Sequence, residues 1–371
     1  MKRIIWITAD SFIDCDWVPI SQVSQAYVVD WLVVLPTSGS RYKETEFGEF
    51  ATRHPNVRVH FFYMKYAVSD PRNILDYWRL GREAKLFGGD IFYVNNSPSL
   101  PWYGVFWWQL PRDRKIMTAH QGAVHIGMRH KAISTLSRDL IYRNAKVVNM
   151  FSKSQAEMFR ERYKKPRIEL ANLALKDYGA PTVTAAKGSD DCVNFLCFGL
   201  LNYAKNIDLL IDAACNIYEQ GVRGFKVLIY GSCKNWNFYQ EHIRYPEIFE
   251  TSIGFVSNDD VPNLLARTHY FVQPYRVVSQ SGAMKVAFQY NTPVIASNLP
   301  GLIDEIREGV NGFSFKVGDV EDLERVMGKR IASFHDEYDV LCSKMNEYIQ
   351  EKYSPDKIGT KYIQMFDNFI K

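Results

Sequence analysis

The sequence predicts an α/β protein made of two doubly wound domains. Short apolar runs of strand length alternate with helix-length amphipathic segments through both halves. A stretch rich in Gly, Pro, Ala, Thr and Ser, 177–191, separates the halves as an inter-domain linker would. The 371 residues also exceed what one hydrophobic core usually holds.

In the first half, residues 3–8 form an apolar run ending in a polar turn, the pattern of a buried parallel strand. Comparable runs fall at 30–35, 57–62, 91–94, 115–118 and 147–150, with helical periodicity at 71–87 and 132–143 between them. The second half alternates more cleanly. Strands are predicted at 193–197, 225–230, 270–273 and 293–296, and helices at 207–220, 261–266 and 282–289. Beyond Gly318 the pattern is helical, and Tyr353-Ser-Pro-Asp opens a last capped helix to the C-terminus. Two domains follow, 1–178 and 190–352. A ligand is expected in the cleft between them, outside the carboxyl ends of the strands.

Composition narrows the class. Hydrophobic residues are 47% and charged residues 23%, the profile of a globular chain. The net charge of +4 is too small for wholesale nucleic-acid binding, so none is expected. The longest apolar runs fall far short of the ~20 residues of a spanning helix. The start, MKRIIWITAD, enters a strand directly without an apolar signal region, which predicts a cytoplasmic chain. The six cysteines lack C-x-x-C spacing, so neither a zinc cage nor a disulfide framework is indicated.

Two loops can hold phosphate. Lys205 sits between a strand ending at Gly199 and the helix that starts at 207; it is either an ordinary loop lysine or a phosphate cation. Ser281 and Gly282 precede an apolar helix, so the N–H groups of Gly282, Ala283 and Met284 point out of its N-terminus. Taken alone, Ser-Gly there is an N-cap.

The order of blocks resembles a known family. Phe198-Gly-Leu-Leu-Asn-Tyr-Ala-Lys205 is followed by Leu228-Ile-Tyr-Gly-Ser232, then by Ile253-Gly-Phe-Val-Ser-Asn-Asp-Asp-Val-Pro-Asn-Leu-Leu-Ala266. Gln273-Pro-Tyr275 and Thr292-Pro-Val-Ile-Ala-Ser-Asn-Leu-Pro-Gly-Leu-Ile-Asp-Glu-Ile-Arg-Glu-Gly-Val-Asn-Gly312 complete the series. Over about 193–317 this is similar to the donor domain of glycosyltransferase family 4; the first half matches weakly, with Phe12-Ile-Asp-Cys-Asp-Trp-Val-Pro19 and Thr118-Ala-His120 resembling bacterial surface-polysaccharide members. The resemblance implies the GT-B fold: two Rossmann-like domains facing a central cleft, with 353–371 crossing back onto the N-terminal domain. It implies a UDP- or GDP-linked sugar donor and a glycan or lipid-linked oligosaccharide acceptor. It also implies transfer that retains anomeric configuration, with no cofactor and no metal. Donor contacts would come from Gly199, Lys205, Gly231, Ser232, Arg276, Gln280, Ser281, Gly282 and Ala283, and acceptor contacts from Asp14, Asp16 and His120. Lys205 and His120 would take part in the chemistry.

The sequence departs from the family pattern in three places. Leu200 stands where an Arg usually follows the glycine, and Val278 and Val286 occupy the positions of the usual Glu-x7-Glu pair. Neither valine can accept a hydrogen bond from a hydroxyl, so Arg276 and Gln280 are the nearest polar substitutes. These departures leave open an inactive glycan- or nucleotide-binding partner. A phosphorylase or nucleotide-sugar epimerase of the same shape is a further rival.

Other features are more ambiguous. Asp14-Cys-Asp16 has no companion carboxylate cluster, so acceptor binding or loop capping is expected rather than a metal. The five-residue spacing of His120, His125 and His130, with Gly122 and Gly127 between them, argues against a tri-histidine metal site. Pro101-Trp-Tyr-Gly-Val-Phe-Trp-Trp108 is either a core helix or an exposed aromatic wedge. Residues 129–167 hold eleven Lys/Arg against three acids, either a solvated face or a surface for anionic lipid, which would make the protein peripheral at the inner face of the membrane.

Overall fold

The computed structural model describes residues 1–67, 70–96, 98, 100–122, 131–182 and 191–370. The chain divides into two units, Met1–Ala174 together with Tyr353–Lys371, and Leu175–Lys352. The expected first-domain span of 1–178 therefore runs four residues too far. Tyr178 already packs with the second unit, its N–H donating to Tyr290 Oη at 2.9 Å.

The first unit is a seven-stranded parallel sheet. Its strands are β1 (Arg3–Ala9), β2 (Val28–Pro36), β3 (Val57–Met64), β4 (Ile91–Asn95), β5 (Lys115–Thr118), β6 (Val147–Met150) and β7 (Arg167–Leu170). They lie in the order β3-β2-β1-β4-β5-β6-β7, so the winding reverses between β1 and β4. In β1, Ile4, Ile5, Trp6 and Ile7 are wholly buried, because a strand covered on both faces must be apolar at every position. The register sets Thr8 opposite Asn95, which brings two polar residues together at the carboxyl ends of the central pair.

The second unit has six parallel strands: β8 (Val193–Phe198), β9 (Phe225–Gly231), β10 (Phe249–Ile253), β11 (Tyr270–Gln273), β12 (Val294–Ser297) and β13 (Gly312–Phe315). Their order is β10-β9-β8-β11-β12-β13, with the reversal between β8 and β11. Helix Ile207–Glu219 buries Ile207, Leu210, Ile211 and Ala214 into the core that holds Phe195 and Val227, the i, i+3, i+4, i+7 stripe of an amphipathic helix. Asn206 precedes it in the left-handed region at φ 53°.

The chain returns to the first unit for its last helix, Pro355–Ile370. Tyr362 and Phe366 lie 5.6 and 5.9 Å from the Trp6 ring, and Tyr93 meets Phe366 at 5.5 Å. Tyr27 Oη donates to the Asp367 carboxylate at the helix end. A Cβ on Gly359 would lie 2.4 Å from Gln22 Cβ, so only glycine allows this approach to the first helix, Trp17–Val23. The aromatic cluster ties the C-terminal helix to β1 and β4. Phe366→Ala should cost about 3–5 kcal/mol through the cavity it opens, read as a lower urea midpoint; an unchanged midpoint would show the helix to be dispensable.

Candidate functional site

In the second unit, polar groups gather where the strand order reverses. Gly199 follows β8 at φ +118° and Gly231 ends β9 at φ +140°. A Cβ on Gly231 would lie 1.8 Å from the Gly199 carbonyl oxygen, so the two backbones touch and no side chain fits. The chain then turns through a short helical turn, Tyr203–Lys205, capped by the Asn202 side chain accepting from Ala204 N–H at 3.1 Å.

This turn delivers Lys205 to the end of β11. Its Nζ donates to Tyr275 Oη and lies 4.0 Å from the centre of that ring. The same Oη accepts from Gln273 Nε2 at 3.2 Å, and Gln273 Nε2 also reaches Ser281 Oγ at 2.6 Å. Ser281 is the N-cap of helix Gly282–Gln289, its Oγ accepting from Met284 N–H at 3.2 Å. Lys205 and the helix N-terminus therefore belong to one hydrogen-bonded chain, with Gln273 wholly buried at its centre.

A second cation lies at that N-terminus. A Cβ on Gly282 would sit 2.8 Å from Lys176 Nζ and 3.2 Å from its Cε, so the lysine occupies the space a side chain would fill. The first N–H groups of a helix have no intrahelical acceptor, and with the helix dipole and two ammonium groups they suit a multiply charged oxyanion.

The other residues expected to contact the donor are placed as follows. Ser232, after β9, is half-buried, and its carbonyl accepts from Leu201 N–H at 2.8 Å. Gln280 Nε2 is buried and has no hydrogen-bond partner among the described residues. Arg276 is already engaged: its guanidinium reaches Asp208 at 2.5 Å and the Tyr203 carbonyl at 3.0 Å, and stacks 4.5 Å from the Tyr203 ring. It braces the loop that carries Lys205. Leu200 is 62% exposed, whereas Val286 faces the core. Lys285, beside Val286, is buried against Glu305 at 3.0 Å, which also accepts from Lys352 at 2.9 Å.

The first unit has its own polar centre at its own reversal. Trp31 Nε1 donates to Thr8 Oγ1 at 2.9 Å, and Thr8 donates to Asp16 Oδ2 at 2.6 Å. Asn95 Nδ2 donates to Asp16 Oδ1 at 2.8 Å, while Asn95 Oδ1 contacts Thr118 Oγ1 at 3.0 Å and His120 Nε2 at 2.7 Å. The His120 ring stacks on Phe12 with centroids 3.9 Å apart. Two of the expected acceptor residues are thus joined through Asn95.

Asp16, however, does not reach the surface; it is 1% exposed and serves as an internal anchor rather than an acceptor contact. Asp14 is separate from it. Its carboxylate accepts from Cys15 Sγ at 3.4 Å and faces Arg41 at 3.9 Å. His125 and His130 lie outside the described residues. Asn95 and Lys176 are functional candidates that sequence reasoning missed. An asparagine ending the apolar run 91–94 was a signal for the first, and a linker lysine offers none for the second.

The aromatic stretch is mostly core: Tyr103, Phe106 and Trp107 are buried, and only Trp108 is more than half exposed. The basic run is likewise not one solvated face. Arg138 is buried and donates to the Gln121 carbonyl at 2.5 Å, and Arg143 and Arg162 share Asp139. Arg143, Lys146, Lys165 and Arg167 line a shallow pocket of about 470 Å³ with Arg112 and Asp113, where β6 and β7 begin.

The comparisons with known proteins agree with this layout. Residues 192–332 match the family model for glycosyl transferases group 1. The matched segment contains the Gly199, Lys205, Gly231 and Gly282 corner. An uncharacterized glycosyltransferase of Methanocaldococcus jannaschii is 28% identical over 184 residues, 48% of this chain and 45% of that protein. A glycogen synthase of Thermodesulfovibrio yellowstonii is 23% identical over 46% of this chain and 34% of its own length. The chain thus spans less than half the length of these curated relatives. Among solved structures, sucrose-phosphate synthase from Thermosynechococcus elongatus superposes with a TM-score of 0.74 at 14% identity, covering 99% of both chains. Anabaena HepE in complex with UDP-glucose does so at 0.72 and 14% identity, over 99% of this chain and 100% of that one. The fold is that of the GT-B glycosyltransferases.

The buried carboxylate yields a pH prediction. Burial pushes the Asp16 carboxyl up from 3.8 to about 7, against the opposing pull of the Thr8 and Asn95 hydrogen bonds. Between these two values the folded state holds more protons than the unfolded state, so the stability contributed at this site falls as pH rises and levels off above about 7. Asp16→Asn lacks that decline. Urea midpoints of the two proteins should shift in the variant's favour from pH 5 to pH 8; a constant difference would place the carboxyl in water.

Proposed function

We propose that this chain transfers a glycosyl group from a nucleoside diphosphate sugar to a hydroxyl of a growing bacterial surface glycan. The observation that carries the reading is the linked cation and helix corner: Lys205, Tyr275, Gln273 and Ser281 in one chain, with Lys176 against Gly282. As the bond from sugar to diphosphate breaks, negative charge builds on the leaving phosphate. Two ammonium groups and the N–H groups of Gly282 and Ala283 stabilise that charge more in the transition state than in the ground state. The diphosphate charge is then met without a metal, and the buried Gln280 amide is offered to the sugar or ribose. Retention of anomeric configuration and a UDP-linked donor are part of the proposal, supported by the resemblance and by the UDP-glucose bound in the Anabaena structure.

The test is nucleotide binding followed by turnover, both with chelator present. UDP or GDP at a hundred times Kd should stabilise the protein by about 2.7 kcal/mol in thermal unfolding. Lys205→Ala and Lys176→Ala should each weaken that affinity about tenfold, the scale of one lost charge-assisted contact. Unchanged affinity in both variants would remove the corner from the site, activity restored only by Mn²⁺ or Mg²⁺ would overturn the metal-free reading, and tight binding without turnover would make the chain a binding partner.

We place the acceptor at an anionic membrane surface. Ile74, Leu75 and Trp78 on helix Asn73–Leu86, Trp108 on helix Tyr103–Gln109, and Ile133, Leu136 and Leu140 on helix Lys131–Tyr142 are each at least 40% exposed. The first two helices pack together, Gln109 Nε2 donating to the Trp78 carbonyl at 3.2 Å. Arg82 stacks on Trp78 at 4.9 Å, the mix of indole and cation suited to a lipid interface. The protein should sediment with phosphatidylglycerol vesicles at low salt, and Trp108→Glu or added salt should release it. Failure to bind vesicles would mean that the acceptor is a soluble sugar or a protein.

A further inference from the structure

We infer that Asn95 is a positioning residue that fixes the proton of the His120 ring on Nε2. The polarity of the network follows from one group in it that can only donate and one that can only accept. Thr8 Oγ1 accepts from the Trp31 indole N–H, and above about pH 7 the ionised Asp16 carboxylate can only accept, so the Thr8 hydroxyl gives its own proton to Asp16 Oδ2. Asp16 then accepts on both oxygens, because its Oδ1 faces an Asn95 amide atom at 2.8 Å.

A carboxylate cannot face an amide oxygen at that distance without repulsion. The NH₂ end of Asn95 therefore points at Asp16, and its Oδ1 points at Thr118 and His120. An amide oxygen only accepts, so the 2.7 Å contact with His120 requires a proton on Nε2. In the neutral ring, Nδ1 is then the accepting nitrogen. The stack on Phe12, 14° from parallel, and the tilted contact with Phe151 hold the ring plane.

This deepens the reading of the first unit as the acceptor side and rests on it for its consequence. In that tautomer whatever meets Nδ1 must donate a proton, as a sugar hydroxyl does and an ionised phosphate oxygen cannot. Thr8, Asp16 and Asn95 act through His120 and touch no substrate themselves. Because burial pushes the Asp16 carboxyl up to about 7, the amide is held most firmly above neutral pH.

Long-range ¹H–¹⁵N correlation spectra of the histidine rings at pH 8.5 test this directly, with His120→Gln assigning the signal. The expected result is a single Nε2–H tautomer in the wild type and a mixture of tautomers in Asn95→Ala. An Nδ1–H tautomer or a mixture in the wild type overturns the inference, and so does an Asn95→Ala spectrum identical to the wild type. Where Asn95→Ala does not fold, Asp16→Asn, which removes the charge that orients the amide, must also lose the single tautomer. The readout needs neither donor nor acceptor, so it fails or succeeds independently of UDP binding in the second unit.

Discussion

A parallel sheet whose strand order reverses leaves one place uncovered. On either side of the reversal the connecting segments leave in opposite directions, so the carboxyl ends of the two central strands face open space. Both units are built this way, at β1 and β4 in the first and at β8 and β11 in the second. Thr8, next to the end of β1, and Asn95 and Thr118, which end β4 and β5, lie at the first opening, and Gly199, Gln273 and Tyr275 lie at the second. The apolar strands behind them cannot solvate polar groups, so these residues bond to one another or to a ligand.

The two openings are chemically opposite. In the second unit the backbone contact of Gly199 and Gly231 brings the Lys205 turn close to the helix N-terminus, and the result is positive. That helix is held from its own interior: buried Lys285 reaches Glu305, which is also bonded by Lys352. Desolvation lowers the Lys285 pKa to about 8, and the Glu305 charge is what keeps the ammonium form favourable there. In the first unit the buried Asp16 carboxyl is negative once the pH exceeds about 7, and that charge orients the Asn95 amide.

Buried charge of this kind is expensive, and its return is specificity of arrangement rather than stability. Asp16 keeps two hydrogen bonds yet still rises to about 7, so burial outweighs them. An apolar residue would pack at lower cost but would leave Asn95 free to turn. The same logic covers Arg276, whose pairing with Asp208 and Tyr203 holds a loop in place.

The sequence by itself determined the central strands, the pair of doubly wound domains and the glycine and lysine blocks of the second unit. Strands buried on both faces are apolar throughout, and turns with large positive φ, such as Gly199 and Gly231, favour glycine; both are local properties. It did not reveal β7, β10 or β13, which all lie outside the central pairs of their sheets, toward or at an edge. Glu169 in β7, Glu250 and Ser252 in β10 and Ser314 in β13 interrupt their apolar runs, since such strands are only partly covered. Tertiary structure alone decided that Asp16 is an anchor, that Tyr103, Phe106 and Trp107 are core, and that Lys176 reaches Gly282. Asp16 and Asn95 stand 79 residues apart and Lys176 and Gly282 more than a hundred, and nothing in a local pattern encodes which distant groups a fold will bring together.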